Sequence, residues 1–122
     1  MTTLLLIEHP PAVRRALRAR LSLEPDLLVI GEADDAPQAI CLARALDPDV
    51  MLLDAETPYL DTSRLVRAMA DEERCPAMVV LSQHTAAITS GLNGSQAIVV
   101  GKHEGLAALV AAIRSAGRSP RQ

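Results

Sequence analysis

Four apolar runs in this chain end on side chains able to do chemistry. TLLLI is followed by Glu8 and His9, VMLL by Asp54, and AMVVL by Ser82. QAIVVG is followed by Lys102, the only lysine among 12 basic residues. Carboxylates, an imidazole, a hydroxyl and an ammonium are groups that hold and move charge. Each alone is weak, since an Asp at a strand end is ordinarily a cap or turn residue. Four such positions at four strand ends make a sharper pattern, provided the fold brings those ends to one edge.

The elements that must do so are readable. Residues 3–8 predict a buried strand. Residues 11–23 predict a helix with Val13, Leu17 and Leu21 on one face and Arg14, Arg15 and Arg18 on the other. Pro10 and Pro11 suit its start, where a missing N–H costs nothing. Residues 27–33 read as a second strand. Asp35 caps a helix over 36–46 with Pro37 in its first turn. A third strand at 49–54 leads through the loop AETPYLD to a helix at 62–70, with Leu65, Val66 and Met69 inward. Strands follow at 77–82 and 96–101. A last helix spans 106–116, with Leu106, Leu109, Val110 and Ile113 at helical spacing. Between Ser82 and Gln96, two glycines and small polar residues leave a poor or short helix. One domain is expected over 1–116, with 117–122 a flexible tail or the start of a linker.

Five β–α units in this order predict an α/β fold, a parallel sheet covered on both faces by right-handed crossovers. The small doubly wound solution is flavodoxin-like, with strand order 2-1-3-4-5. Its site lies at the carboxyl ends of the strands, by the switch point between strands 1 and 3.

Composition narrows the functional classes. The chain has 122 residues, net charge -3 and one aromatic residue, Tyr59. An acidic chain with no aromatic platform is a poor direct nucleic-acid binder. No apolar run approaches the ~18 residues of a membrane span. Cys41 and Cys75 stand far apart, which argues against a disulfide framework or zinc site and suits a reducing cytoplasm. A flavin or nucleotide binder on this fold would need a donor-rich loop after the first strand. That loop is EHPP, where two prolines remove donors.

The segments LLLIEHPPAVRRALRARL, VIGEADDAPQAICLARALDPDVMLLD, MVVLSQH and GKHEGLAALVAAIRS resemble receiver (CheY-like) domains of bacterial two-component response regulators. The resemblance covers residues 3–116 and is strongest to receivers of the NarL/LuxR-type subfamily, which carry a helix-turn-helix after the receiver. It implies a signalling domain and not an enzyme, beyond its own phosphorylation and dephosphorylation. Asp54 would accept a phosphoryl group from a sensor histidine kinase. Lys102 would contact the phosphoryl oxygens, and Ser82 would report the group through its hydroxyl. A divalent cation, Mg2+ or another such as Mn2+, would sit between Asp54 and the acidic pair. The alternative is a degenerate receiver that works as an interaction or dimerisation module without phosphorylation.

Two departures bear on those expectations. The family's acidic pair falls on Glu8 and His9, so imidazole stands where the direct metal ligand is normally aspartate. Magnesium is hard and takes imidazole poorly, so its binding should be weak or absent. His9 reads as a ligand for a softer metal, as a cation in the metal's place, or as a helix-cap side chain. Glu56 reads as a substitute metal carboxylate or as a solvated loop acid. Val99 replaces the family's switch aromatic, so the usual hydroxyl–aromatic coupling cannot operate. Cys41 and Met69 read as core, and Arg14, Arg15, Arg18 and Arg20 as a solvated helix face or a phosphate-facing patch. His84 and His103 read as solvated at the pocket rim. Tyr59 and Leu60 read as pocket-capping or partner-contacting residues. The alanines of the last helix are compatible with a homodimer, and a longer parent with a DNA-binding output domain is a further expectation.

Overall fold

Side-chain alternation along three central strands decides the architecture. Leu4, Leu6, Val50, Leu52 and Val79 join one apolar cluster, while Leu5, Ile7, Met51, Leu53, Met78 and Val80 join another. Successive residues of a strand face opposite ways, so both faces of this sheet are apolar and both must be covered. The computed structural model describes residues 1–92 and 94–118. Its elements run β1 (Thr2–Ile7), α1 (Pro11–Leu21), β2 (Leu27–Ala33), α2 (Ala36–Leu46), β3 (Val50–Asp54) and α3 (Thr62–Ala70). Then come β4 (Ala77–Ser82), α4 (Thr85–Gly91), β5 (Ile98–Gly101), a 3-10 turn (Lys102–Glu104) and α5 (Leu106–Arg118).

The strands form one parallel sheet in the order β2-β1-β3-β4-β5, as expected. Leu21 of α1 and Leu109, Val110, Ile113 and Ala116 of α5 cover one face. Ala39 and Ala43 of α2 cover the other with Leu65, Val66 and Met69 of α3. Asp35 caps α2 by accepting from the Gln38 N–H at 2.9 Å. Asp61 caps α3 in the same way, accepting from the Arg64 N–H at 3.1 Å. These caps satisfy helix-start donors and fix where each chain segment leaves the sheet.

Some details depart from the sequence expectation. Helix α1 stops at Leu21, and Leu23 lies exposed beyond it. Only Leu21 of its apolar face is buried, Leu17 packs in part, and Val13 is 49% exposed. The reason is a cavity between α1 and α5, which Val13 lines without filling. Cys41 is exposed and not core. It sits two positions from both Ala39 and Ala43, which turns it roughly 200° around the helix from the buried stripe. Helix α5 continues through Gly117 and Arg118, two residues expected to belong to a tail or linker. Residues 119–122, where the rest of that tail was expected, lie outside the described residues.

Candidate functional site

Asp54 is the last residue of β3 and is 6% exposed. The strand register sets its neighbours: Asp54 pairs with Leu81, and Ser82 pairs with Gly101. The ends of β3, β4 and β5 are therefore nearly level, and the residues after them converge. The backbone around Gly101 is tight, since a Cβ there would meet the His103 ring at 2.5 Å. Glu104 reaches back to accept from the Gly101 N–H at 2.6 Å, which braces the turn that carries Lys102.

Lys102 Nζ lies 2.8 Å from Asp54 Oδ2 and 3.1 Å from Glu56 Oε1. The other Asp54 oxygen, Oδ1, accepts from the Glu56 N–H at 2.8 Å. Ser82 is fully buried and donates its hydroxyl to Glu56 Oε2 at 2.9 Å. The same oxygen of Ser82 accepts from the His84 N–H at 2.8 Å. Glu56 Oε1 also accepts from the Gln83 N–H at 2.8 Å. Burial alone would raise the Glu56 carboxyl, but the Gln83 N–H, Ser82 and Lys102 outweigh it and hold it below its ordinary value. Burial likewise disfavours the Lys102 cation, yet Asp54 and Glu56 together raise its pKa.

Glu8 follows β1 and is 4% exposed. Its carboxyl is pushed up to about 8, first by burial and then by a hydrogen bond to Asp54 and that residue's negative charge. At neutral pH it is mainly the neutral member of a carboxyl pair. Arg14 Nη1 donates to the Glu8 carbonyl at 3.2 Å, and its Nε pairs with Glu32 at 2.8 Å. Arg14 also pairs with Asp34, and Arg18 with Glu32. Arg14 is thus packed into β2, not a free member of a solvated arginine face. Arg15 and Arg20 are exposed.

Glu8, Asp54, Ser82, Lys102 and Glu56 come together, and His9 does not. The His9 side chain is exposed, and Pro10 takes the N-cap position of α1. The helix-cap reading of His9 is therefore set aside. His84 and His103 are exposed, as expected, and Val99 packs partly against the α2–α3 side of the core. Glu56 is no loop acid free in solvent, because both of its oxygens are engaged. Sequence reasoning missed the Gln83 N–H, a backbone donor with no side-chain signature. It also missed the Arg14 network, whose partners lie on another element.

Receiver domains in general bind Mg2+ at their phosphorylation site. The present arrangement does not assemble such a shell. Lys102 holds Asp54 and Glu56, and His9, at the position of the family's second acid, is exposed. Among the described residues, no group of three or more His, Cys, Asp and Glu is placed to hold a metal ion. A cavity of about 380 Å³ opens over Glu8, Asp54 and Lys102, walled by Leu17, Leu106 and Leu109.

Comparison with known proteins agrees with this geometry. Residues 4–114 match the family described as the response regulator receiver domain. The chain is 35% identical over 80 residues to the nitrate/nitrite response regulator protein NarL of Escherichia coli (strain K12), which is 66% of this chain and 37% of that protein. It is 37% identical over 82 residues to the transcriptional regulatory protein LiaR of Bacillus subtilis (strain 168), covering 67% and 39%. The chain thus spans about two fifths of the length of these relatives. The receiver domain of NarL from Mycobacterium tuberculosis superimposes with a TM-score of 0.84 at 26% identity, covering 98% of each chain. The response regulator domain of Thermotoga maritima CheB gives a TM-score of 0.84 at 25% identity, with 98% of each covered.

Proposed function

The chain belongs to the response regulator receiver domain family, and from that membership we propose that it accepts a phosphoryl group on Asp54 from a sensor histidine kinase. The observation that carries this reading is the 2.8 Å contact between Lys102 Nζ and Asp54 Oδ2, beneath an open cavity. An Asp54 oxygen attacks the phosphorus of a phosphohistidine. A P–O bond forms as the donor's P–N bond breaks, and the electron pair stays on the imidazole nitrogen, which takes a proton. Such a transfer needs little covalent help from the protein, so charge placement carries the rate. Lys102 moves from the Asp54 carboxylate to the phosphoryl oxygens as their charge develops. Ser82 then donates to a phosphoryl oxygen.

The signal is read without an aromatic switch, since Val99 stands at that position. Helix α4 has seven residues and none is buried, which makes it the element most easily displaced by a change at Ser82. Metal binding by this chain is weak or absent, because a cation would have to part Glu56 and Asp54 from Lys102. Partners are the kinase or a small phosphodonor, a second copy of the chain, and a DNA-binding output module in a longer parent. A cytoplasmic setting fits these partners.

A second reading is favoured by the engaged carboxylates: a receiver that works through protein contacts without phosphorylation. One experiment separates the two. The chain is incubated with acetyl phosphate in Mg2+ and in Mn2+, and the intact mass is followed. Addition of one phosphoryl group to wild type and none to Asp54→Asn supports the acceptor. No addition in either metal, at high donor concentration, leaves the interaction module. Rescue of labelling by His9→Asp would locate the deficit in the altered acidic pair.

A further inference from the structure

We propose that the Glu56 carboxylate is a tethered anion seated where a phosphoryl group on Asp54 would be held, and that it competes with that group for Lys102, Ser82 and the Gln83 amide. The inference rests on the reading of Asp54 as phosphoacceptor.

Three different donors meet in this seat: a hydroxyl, a backbone amide and an ammonium. Such a set is an oxyanion site. Its occupant is supplied by the chain itself. Glu56 Oε2 takes the Ser82 hydroxyl at 2.9 Å, while Oε1 takes the Gln83 N–H at 2.8 Å and Lys102 at 3.1 Å. The Ser82 proton has a fixed direction, because its oxygen already accepts from the His84 N–H. A solvated loop acid would make one contact of opportunity. Glu56 instead bridges donors that follow or end two different strands, and its side chain is only 29% exposed. Its own N–H holds Asp54 Oδ1 at 2.8 Å, which keeps the carboxylate over the acceptor.

Charge makes the seat exclusive. Lys102 is the cation paired with Asp54 and Glu56 there. A phosphoryl group brings roughly two negative charges. It cannot share one ammonium and one hydroxyl with a second carboxylate at hydrogen-bond distance, so Glu56 must swing out before an acyl phosphate is held. Until then, Ser82 and Gln83 already sit in an anion-bound arrangement without any phosphoryl group.

The test uses inorganic phosphate as the probe and amide NMR as the readout. Phosphate is titrated into Asp54→Asn chains, in which the covalent product cannot form, with Glu56 intact, Glu56→Gln or Glu56→Ala. Loss of Glu56 should displace the Gln83 and His84 amide resonances, and phosphate should drive them back. Affinity should rise roughly tenfold or more in Glu56→Ala, the scale of one charge-assisted hydrogen bond. Glu56→Gln, which keeps size and an acceptor, should fall between, and it carries the test if the alanine variant does not fold. Equal affinity in all three chains, or no phosphate binding by folded Glu56→Ala and Glu56→Gln, would overturn the proposal and leave Glu56 a loop brace. The titration needs no label on Asp54. A failed label with successful phosphate binding would remove the acceptor reading and leave the seat standing.

Discussion

Two of the charge clusters among the described residues are balanced differently. Beside β2, Arg14 and Arg18 meet Glu32 and Asp34, two cations with two anions. At the ends of β3, β4 and β5, Lys102 meets Asp54 and Glu56, with Glu8 pressed against Asp54. The first cluster is closed, because each carboxylate has a guanidinium partner. Glu32 accordingly stays below its ordinary value, since the hydrogen bonds from Arg14 and Arg18 outweigh the burial that would raise it. The second has three carboxyl groups for one ammonium, and there burial, with the Asp54 hydrogen bond and charge added, raises the Glu8 carboxyl to about 8. An unpaired surplus of acid at a buried strand end is costly to keep. Arg14 and Glu32 in the balanced cluster each move toward the charged form and tie a helix to a strand, while in the second cluster Glu8 moves toward the neutral form.

That contrast can be broken by removing one cation from each cluster. Lys102→Met should lower Asp54 labelling by roughly a hundredfold, the scale of losing a preorganised charge at a developing anion. Arg14→Met should leave labelling at the wild-type rate in the same acetyl phosphate assay. If the two variants lose labelling equally, the distinction between the clusters fails.

The neutral Glu8 gives a pH signature. Its folded pKa lies above the ordinary 4.5, at about 8. The unfolded chain therefore releases this proton first as pH rises. Glu8's contribution to stability is complete below pH 4.5 and lost progressively up to about pH 8. Urea denaturation across that window should show falling stability in wild type and a flatter profile in Glu8→Gln. An equally steep profile in the variant would mean that another group titrates there.

Smaller effects are expected in the balanced cluster. Arg14→Ala should cost about 1 kcal/mol, because the Glu8 carbonyl and Asp34 lose their guanidinium donor while Glu32 keeps only Arg18. Denaturant midpoints measure this directly. Arg44 pairs with Glu72 at 2.5 Å on an exposed face. Arg44→Ala should shift the midpoint by no measurable amount, as isolated exposed pairs seldom contribute.

Much of the fold was legible because the strands are short apolar runs and both faces of the sheet need covering. Asp35 announced its helix, and Leu65, Val66 and Met69 took their expected inward positions. Contacts between elements were less legible. Val13 has the spacing of a core residue but faces a cavity, and Cys41 has apolar neighbours but the wrong phase. For the site, strand ends pointed to Glu8, Asp54, Ser82 and Lys102 through topology alone. The work of Glu56 could not be read from the sequence. It depends on a loop folding over three donors, one of them a backbone N–H that no side chain announces.

The loop after β3 also carries Tyr59, fully exposed and in a left-handed backbone conformation that bulky residues seldom adopt. The chain has no tryptophan or phenylalanine and no second tyrosine. Its near-ultraviolet spectrum therefore has one source, a solvent-bathed phenol five positions beyond Asp54. Melting of the aliphatic core would pass almost unseen in that window. A partner that covers this loop would change a fluorescence signal whose origin is known before the experiment begins.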